Sequence, residues 1–165
     1  MEFSLFLAYP HNYDMFVQKL SEVLNRHISC KTEFFEGTAT FPCEYFTAWV
    51  HEEDWVYGDD RDWVEEKEDW KSKYAEEVHD VKINANVYIQ LFSKTAEKGI
   101  CIIFKVINDF LKITVGDILL EDNNGYVIFY KRTKEGLWGE NHKNYDFEFP
   151  FHEIDSFQNN NDKLI

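Results

Sequence analysis

The sequence has few residues that interrupt regular structure, with three prolines and seven glycines among 165 residues. This composition disfavours long irregular regions and linkers. Long apolar runs are also absent, because no stretch approaches the roughly 18 uninterrupted apolar residues of a membrane span. The N-terminus carries Glu2 where a secretory signal peptide has a basic residue. We therefore expect no membrane association and no signal peptide.

Cysteine is scarce, and the three cysteines form no recognisable pair. Cys30, Cys43 and Cys101 are odd in number and widely spaced, which favours free thiols in a reducing compartment. Cys101 lies on an apolar stripe at helical spacing, so a core thiol is a simpler interpretation than a nucleophile. The sequence therefore predicts a cytoplasmic protein.

The sequence lacks the common motifs of nucleophilic, phosphate-binding, dinucleotide-binding and metal sites. The sequence has no G-x-S-x-G, no P-loop, no G-x-G-x-x-G, no C-x-x-C and no H-E-x-x-H, and its six histidines are dispersed. Two acidic groups could bind a cation, but both lack the order of ligands in a calcium loop. They are His51 with Glu52, Glu53 and Asp54, and Asp59, Asp60 and Asp62 with Glu65 or Glu66. We expect no enzyme activity, no cofactor and no specific metal. The alternative is a hydrolase that uses two carboxylates near the tryptophans.

Positive charge is also scarce: 17 basic residues face 31 acidic ones, for a net charge of −14. Thirteen acids and four bases fall between residues 51 and 80, so this segment alone carries −9. A localised negative field repels nucleic acid and anionic membranes and attracts basic surfaces. We therefore expect a basic protein as the partner, and neither nucleic acid nor a membrane.

Tryptophans are interleaved with these acids, as in a protein-binding face that combines steering charges with aromatic anchors. The predicted contact residues are Asp54, Trp55, Asp59, Asp60, Asp62, Trp63, Glu65, Glu66 and Asp69. The competing interpretation is a solvated acidic loop and helix whose aromatics face the core. Helical spacing favours that interpretation for Trp63 and Trp70, which leaves Trp55 as the better anchor.

The apolar pattern predicts alternating strands and helices. The expected helices are 13–27, 62–78 and 96–112, the second with Trp63, Trp70, Tyr74 and Val78 on one face. The expected strands are 3–8, two strands within 34–50 (the second over 40–50), 83–91, 118–121 and 126–131, a possible strand through Leu137 and Trp138, and an alternating edge segment from Tyr145 to Phe151. Asp122-Asn123-Asn124-Gly125 predicts a hairpin turn.

Hairpins dominate this order, and the strongest helices are separated by several strands. The sequence therefore predicts an α+β fold, with a mainly antiparallel sheet, two principal helices on one face and an acidic loop-helix insertion. The length suits one domain over residues 1–157, followed by a flexible tail over 158–165.

The stretch KGICIIFKVINDFLKITVGDILLEDNNGYVIFYKRTKEGLWGEN, residues 98–141, joins a helix, a Gly-Asp turn, a hairpin and a short strand. It resembles the C-terminal half of small α+β immunity proteins that protect bacteria from polymorphic or contact-delivered toxins. The resemblance covers about a quarter of the chain and implies no catalytic residue. It implies a protein that inhibits a cognate toxin, and an acidic surface suits a basic nuclease toxin. An acidic adaptor for other proteins is the remaining alternative.

Overall fold

The computed structural model describes residues 1–52 and 70–158, and it describes no side chains at 70–74 and 158. The strands are β1 (Glu2–Leu7), β2 (Glu33–Phe35), β3 (Thr38–Pro42), β4 (Phe46–His51), β5 (Ala85–Leu91), β6 (Ile118–Asp122), β7 (Val127–Arg132) and β8 (Gly136–Gly139). The helices are α1 (Tyr13–His27), α2 (Trp70–His79), α3 (Ala96–Ile113) and the short α4 (Asp155–Gln158).

The described strands form one antiparallel sheet in the order β2-β3-β4-β5-β1-β6-β7-β8. β1 lies inside the sheet, where Leu5 pairs with Val87 of β5 and with Leu120 of β6. The alternation predicted for β5 is confirmed, because its odd-numbered residues are buried in the main core. The fold is α+β, as the sequence predicts.

The two long helices cover one face of this sheet. α1 begins where the Asn12 side chain accepts a hydrogen bond from the Met15 N–H, and its bounds match the prediction. α3 turns a wide apolar surface toward the same core, and Phe16 of α1 lies 5.8 Å from Phe110 of α3 between ring centroids. His27 and Asp109 join the two helices through a 3.0 Å contact.

The shorter helix α2 covers part of the opposite face. Ala75 packs there with Phe6 of β1, Leu119 of β6 and Val81 in a second, smaller core. The sequence places Val78 on the apolar face of this helix, and that prediction is wrong because Val78 is 59% exposed. The other predicted members of that face, Trp63, Trp70 and Tyr74, have no described side chains.

Two strand predictions are wrong in detail. The single strand expected over 40–50 is two strands, because β3 ends at Pro42 and the chain turns before Phe46. The segment from Tyr145 to Phe151 alternates like a strand but forms none. Its aromatic rings pack on one another and on Phe3 and Phe104. Ring packing explains the alternation, since none of the described strands pairs with this segment.

The expectation of three free thiols is also wrong. Cys30 and Cys43 form a disulfide that joins the segment before β2 to the turn after β3. Cys101 is a free, half-buried thiol on α3, and burial raises its pKa. The disulfide removes the cysteine argument for a reducing compartment.

Within the described ranges, no helix is long and apolar enough to cross a membrane. The predicted flexible tail lies outside the described residues except for Gln158, where α4 ends.

Candidate protein-binding surface

The predicted contact residues, Asp54, Trp55, Asp59, Asp60, Asp62, Trp63, Glu65, Glu66 and Asp69, all lie between the two described ranges. Their placement is therefore not described, and the prediction that they form an interface stays a prediction. The structure does describe both ends of this acidic segment, 53–69. Those ends fix the part of the fold from which the segment leaves and to which it returns.

The segment leaves the sheet at the end of β4, beside the turn between β2 and β3. The Glu52 N–H donates to the Gly37 carbonyl over 2.8 Å, and the Thr38 hydroxyl lies 2.9 Å from His51 Nδ1. The Glu52 side chain is exposed. The first acid after β4 is thus a solvent-facing carboxylate on a fixed backbone.

The segment returns through α2, whose outer side is also acidic. Ala75 is fully buried against the sheet, whereas Glu76 and Glu77 are exposed. Asp80 follows the helix with its backbone in the left-handed region, at φ 51°, and its N–H donates a hydrogen bond to the Glu76 carbonyl. The Asp80 side chain is exposed. Exposed carboxylates therefore flank the acidic segment on both sides.

Beneath the end of α2, a half-buried histidine lies beside a buried glutamate. His79 Nε2 lies 3.1 Å from Glu121 Oε2, although the described residues give this oxygen no partner in hydrogen-bonding geometry. Burial, with a smaller contribution from Asp122, raises the pKa of Glu121 to about 7. Burial, together with the charge of Arg132, lowers the pKa of His79. Both pKa shifts favour the neutral forms of these two side chains under the helix.

This pair was not predicted from the sequence. The signal available was Glu121 itself, a carboxylate in the strand ILLED, whose five residues are all buried. A glutamate in such a strand needs a partner or a proton, but sequence spacing could not identify His79 on a distant helix.

The two buried carboxylates of β6 do not form a hydrolytic pair. Glu121 pairs with Ser4 and Asp122 with Phe3, so the two side chains point to opposite faces of the sheet. Asp122 accepts hydrogen bonds from the backbone N–H of Asn124 and of Tyr126 and from the Tyr145 hydroxyl. Its role is to hold the β6–β7 turn and the aromatic segment. Two acids that flank one substrate bond must face one cleft.

The described histidines are held in separate places. His27 contacts Asp109 between the long helices, His51 contacts Thr38, and His142 Nε2 lies 2.8 Å from the Val127 carbonyl. Among residues 1–52 and 70–158, no group of three His, Cys, Asp or Glu side chains is placed to hold a metal ion.

Comparison with known proteins gives no further identification. No protein-family model matches the chain, and neither the curated proteins nor the solved structures provide a significant match.

Proposed function

We propose that this protein is a non-catalytic binding protein that captures a basic protein partner on an acidic surface. The main support for the proposal is the concentration of negative charge in one part of the sequence. Residues 53–69 contain nine acids and two bases, and exposed carboxylates at Glu52, Glu76, Glu77 and Asp80 continue this charge onto the sheet and α2.

Such a surface acts mainly on the rate of capture. Clustered charges of one sign draw an oppositely charged partner into encounter and raise the association rate by about tenfold or more at low salt. Exposed carboxylates contribute little to folding stability. Folding stability therefore does not account for the exposed carboxylates that flank the acidic segment, and a role in binding would account for them.

The more specific proposal is inhibition of a toxin. The resemblance of residues 98–141 to immunity proteins supports it, and a nuclease toxin would supply the basic surface because it must bind phosphates. Rapid capture suits a protein that must neutralise a toxin in the cytoplasm, which is the compartment proposed here. The Cys30–Cys43 disulfide gives that location no support. The hydrolase alternative has no described carboxylate pair behind it, and the adaptor alternative differs only in the partner.

The test begins with the protein encoded by the adjacent gene. Its C-terminal domain is expressed with and without this protein, and cell survival is measured. Binding kinetics are then measured for purified Asp59→Lys/Asp60→Lys/Asp62→Lys. A matched variant, Glu97→Lys/Glu140→Lys/Glu148→Lys, has the same change in charge at exposed positions outside the acidic segment.

We expect protection from the adjacent domain and an association rate about tenfold lower at low salt for the first variant alone. Equal slowing by both variants would mean that only net charge matters. Binding without protection from a toxic domain would favour the adaptor. If the adjacent product neither harms cells nor binds, the toxin-inhibitor proposal is wrong.

A further inference from the structure

The strand β2 lies at one edge of the sheet and exposes two adjacent aromatic side chains. Phe34 is 69% exposed and Phe35 is 74% exposed, while Glu33 beside them is exposed as well. Neither ring belongs to the described cores. Exposed aromatic residues on an edge strand are an aggregation hazard that proteins usually avoid, so a role in folding does not account for this pair.

The strand is nevertheless held firmly at both ends. Before it, the Cys30–Cys43 disulfide fixes the chain, the Asn25 side chain hydrogen-bonds both the N–H and the carbonyl of Cys30, and the Ser21 and Thr32 hydroxyls lie 2.8 Å apart. After it, the Tyr13 hydroxyl donates to the Gly37 carbonyl over 3.2 Å. The exposed strand is thus presented in one conformation, which lowers the entropy cost of binding.

The turn determines which backbone groups face outward. Glu36 and Gly37 both have positive φ, 45° and 75°, as in the two-residue turns that link tight hairpins. In such a hairpin the flanking pair, here Phe35 and Thr38, exchanges both hydrogen bonds. The next pair along the two strands, Phe34 and Ala39, is therefore a pair without mutual backbone hydrogen bonds. The N–H and carbonyl of Phe34 point away from β3 and are available to a further strand.

The net charge around this edge is negative, because the exposed carboxylates of Glu33, Glu36 and Glu52 outnumber the exposed Lys31 that precedes the strand. Glu33 and Glu36 are exposed on the hairpin. Glu52 is bonded to the turn through its N–H, and its side chain approaches the Gly37 position. The acidic segment begins at the next residue of the chain. An added strand would meet the carboxylates of the hairpin and of Glu52.

We propose that β2 is the docking strand for an extended, basic segment of the partner, which adds to the sheet as a ninth strand. Backbone hydrogen bonds to Phe34 would supply affinity, and the Phe34 ring would pack on apolar side chains on one face of the added strand. On the opposite face, where Glu33 and Phe35 lie, the carboxylate would select lysine or arginine. This inference rests on the proposed capture of a basic protein and specifies how part of that partner is held. A second copy of the chain is the less favoured occupant, because each copy carries −14.

The test uses ¹⁵N-labelled protein and the peptide acetyl-Lys-Val-Lys-Val-Lys-Val-Lys-amide, followed by NMR. We expect the largest amide shifts and the largest gain in hydrogen-exchange protection at Thr32, Phe34 and Glu36. The same peptide with N-methylated valines, which retains the charge but lacks the backbone N–H of every valine, should lose at least tenfold in affinity.

Two variants separate the backbone from the ring. Phe34→Pro removes the outward N–H at an edge position that tolerates proline, and Phe34→Ala removes the ring alone. We expect Phe34→Pro to abolish peptide binding and Phe34→Ala to weaken it by about threefold to tenfold, the cost of losing part of one apolar contact. Circular dichroism melting checks that both variants are folded.

Each other outcome overturns a defined part of the proposal. Shifts confined to residues 53–69, or equal binding of the N-methylated peptide, would overturn the docking strand and leave capture by charge intact. Shifts at β8 would place docking at the other edge. Changes at β2 with protein concentration alone would identify a second copy as the occupant. No shift anywhere would count against both proposals.

Discussion

At the scale of single residues, the structure places ionisable groups where burial works against their charge. Glu121 is 7% exposed and lies under α2, with one carboxylate oxygen that has no hydrogen-bond partner among the described residues. Asp117 is also buried but receives several hydrogen bonds. The two acids should therefore affect stability in opposite ways as pH changes.

Glu121→Gln should stabilise the protein at neutral and higher pH. The pKa of Glu121 is raised from 4.5 to about 7 in the fold, so the folded state keeps a proton that the unfolded state has already released. The free energy of unfolding of the native protein therefore falls as pH rises from about 4.5 to about 7. We expect the variant to gain up to about 3 kcal/mol at pH 8 and little at pH 4, measured by urea unfolding.

The matched control is Glu140→Gln, at an exposed glutamate. It should leave the pH profile of stability unchanged. An equal gain in both variants would show that net charge, and not the burial of Glu121, controls the profile. The lowered pKa of His79 acts in the opposite direction, because a half-buried neutral histidine reduces stability as pH falls below its ordinary value of 6.5.

Asp117→Asn should destabilise the protein. Burial alone would raise the pKa of Asp117, but hydrogen bonds from the Lys82 N–H and from the N–H and hydroxyl of Thr133 outweigh it, so the pKa is lowered. An asparagine oxygen can still accept both Thr133 hydrogen bonds, but its amide NH₂ group cannot accept from the Lys82 N–H, and the loss should be about 1–3 kcal/mol. This carboxylate stabilises the fold above its ordinary pKa of 3.8, and its contribution is lost as pH falls through the lowered value.

Urea unfolding at pH 7 and pH 3 measures the effect. The difference between Asp117→Asn and the native protein should be large at pH 7 and smaller at pH 3. A difference that does not depend on pH would contradict the assignment to the charged form.

At the scale of elements, β2 and α2 lie outside the main core between the sheet and the long helices. β2 contributes no side chain to the described cores and is restrained by the Cys30–Cys43 disulfide and by hydrogen bonds at its ends, and α2 packs in a small core of its own. Each can therefore be loosened without destroying the main core.

Cys30→Ser/Cys43→Ser should loosen the β2 hairpin first. The two cysteines are 13 residues apart in sequence, and loss of a crosslink of this length costs about 3 kcal/mol. Hydrogen exchange should show lower protection in β2 and the start of β3, with β5 nearly unchanged. In the native protein, alkylation without reductant should label Cys101 alone and slowly, because that thiol is half-buried. Prompt labelling at Cys30 would contradict the disulfide.

Ala75→Asp should detach α2 while the main core persists. Ala75 is fully buried beside Phe6 and Leu119, and an unpaired carboxylate there would cost several kcal/mol. Hydrogen exchange should show loss of protection in α2 but not in β5 or α3. The exposed control Glu77→Ala should change neither. Global unfolding of Ala75→Asp would mean that the second core is essential to the sheet.

At the scale of the whole molecule, the net charge of −14 is a source of self-repulsion. Salt screens such repulsion over a Debye length of about 10 Å at 0.1 M. The melting temperature should therefore rise by a few degrees between about 20 mM and about 500 mM NaCl. Asp59→Asn/Asp60→Asn/Asp62→Asn should show a smaller rise, measured by calorimetry. An equal rise in both proteins would mean that these three acids are not part of the repulsion.

The sequence predicts the most regular elements well and the irregular ones poorly. α1 and β5 carry strong periodicity because the apolar face of each packs in the main core and polar residues dominate the other face, and their predicted positions are confirmed within two residues. The Tyr145–Phe151 alternation has the same period, but its rings are buried by one another and not by a strand partner. The period of the apolar residues therefore indicates which side chains are buried. Whether the segment is also a strand depends on backbone hydrogen bonds to a neighbouring segment.

What the sequence by itself determined is the α+β class, the bounds of the main helices and the concentration of acids between β4 and α2, because these depend on local order and composition. Only the tertiary structure decided the Cys30–Cys43 pairing, the burial of Glu121 beside His79 and the exposure of Phe34 and Phe35 at a fixed edge. Each of these depends on residues far apart in the chain or on a position at the edge of the sheet. Sequence spacing carries no information about which strand is left without a neighbour.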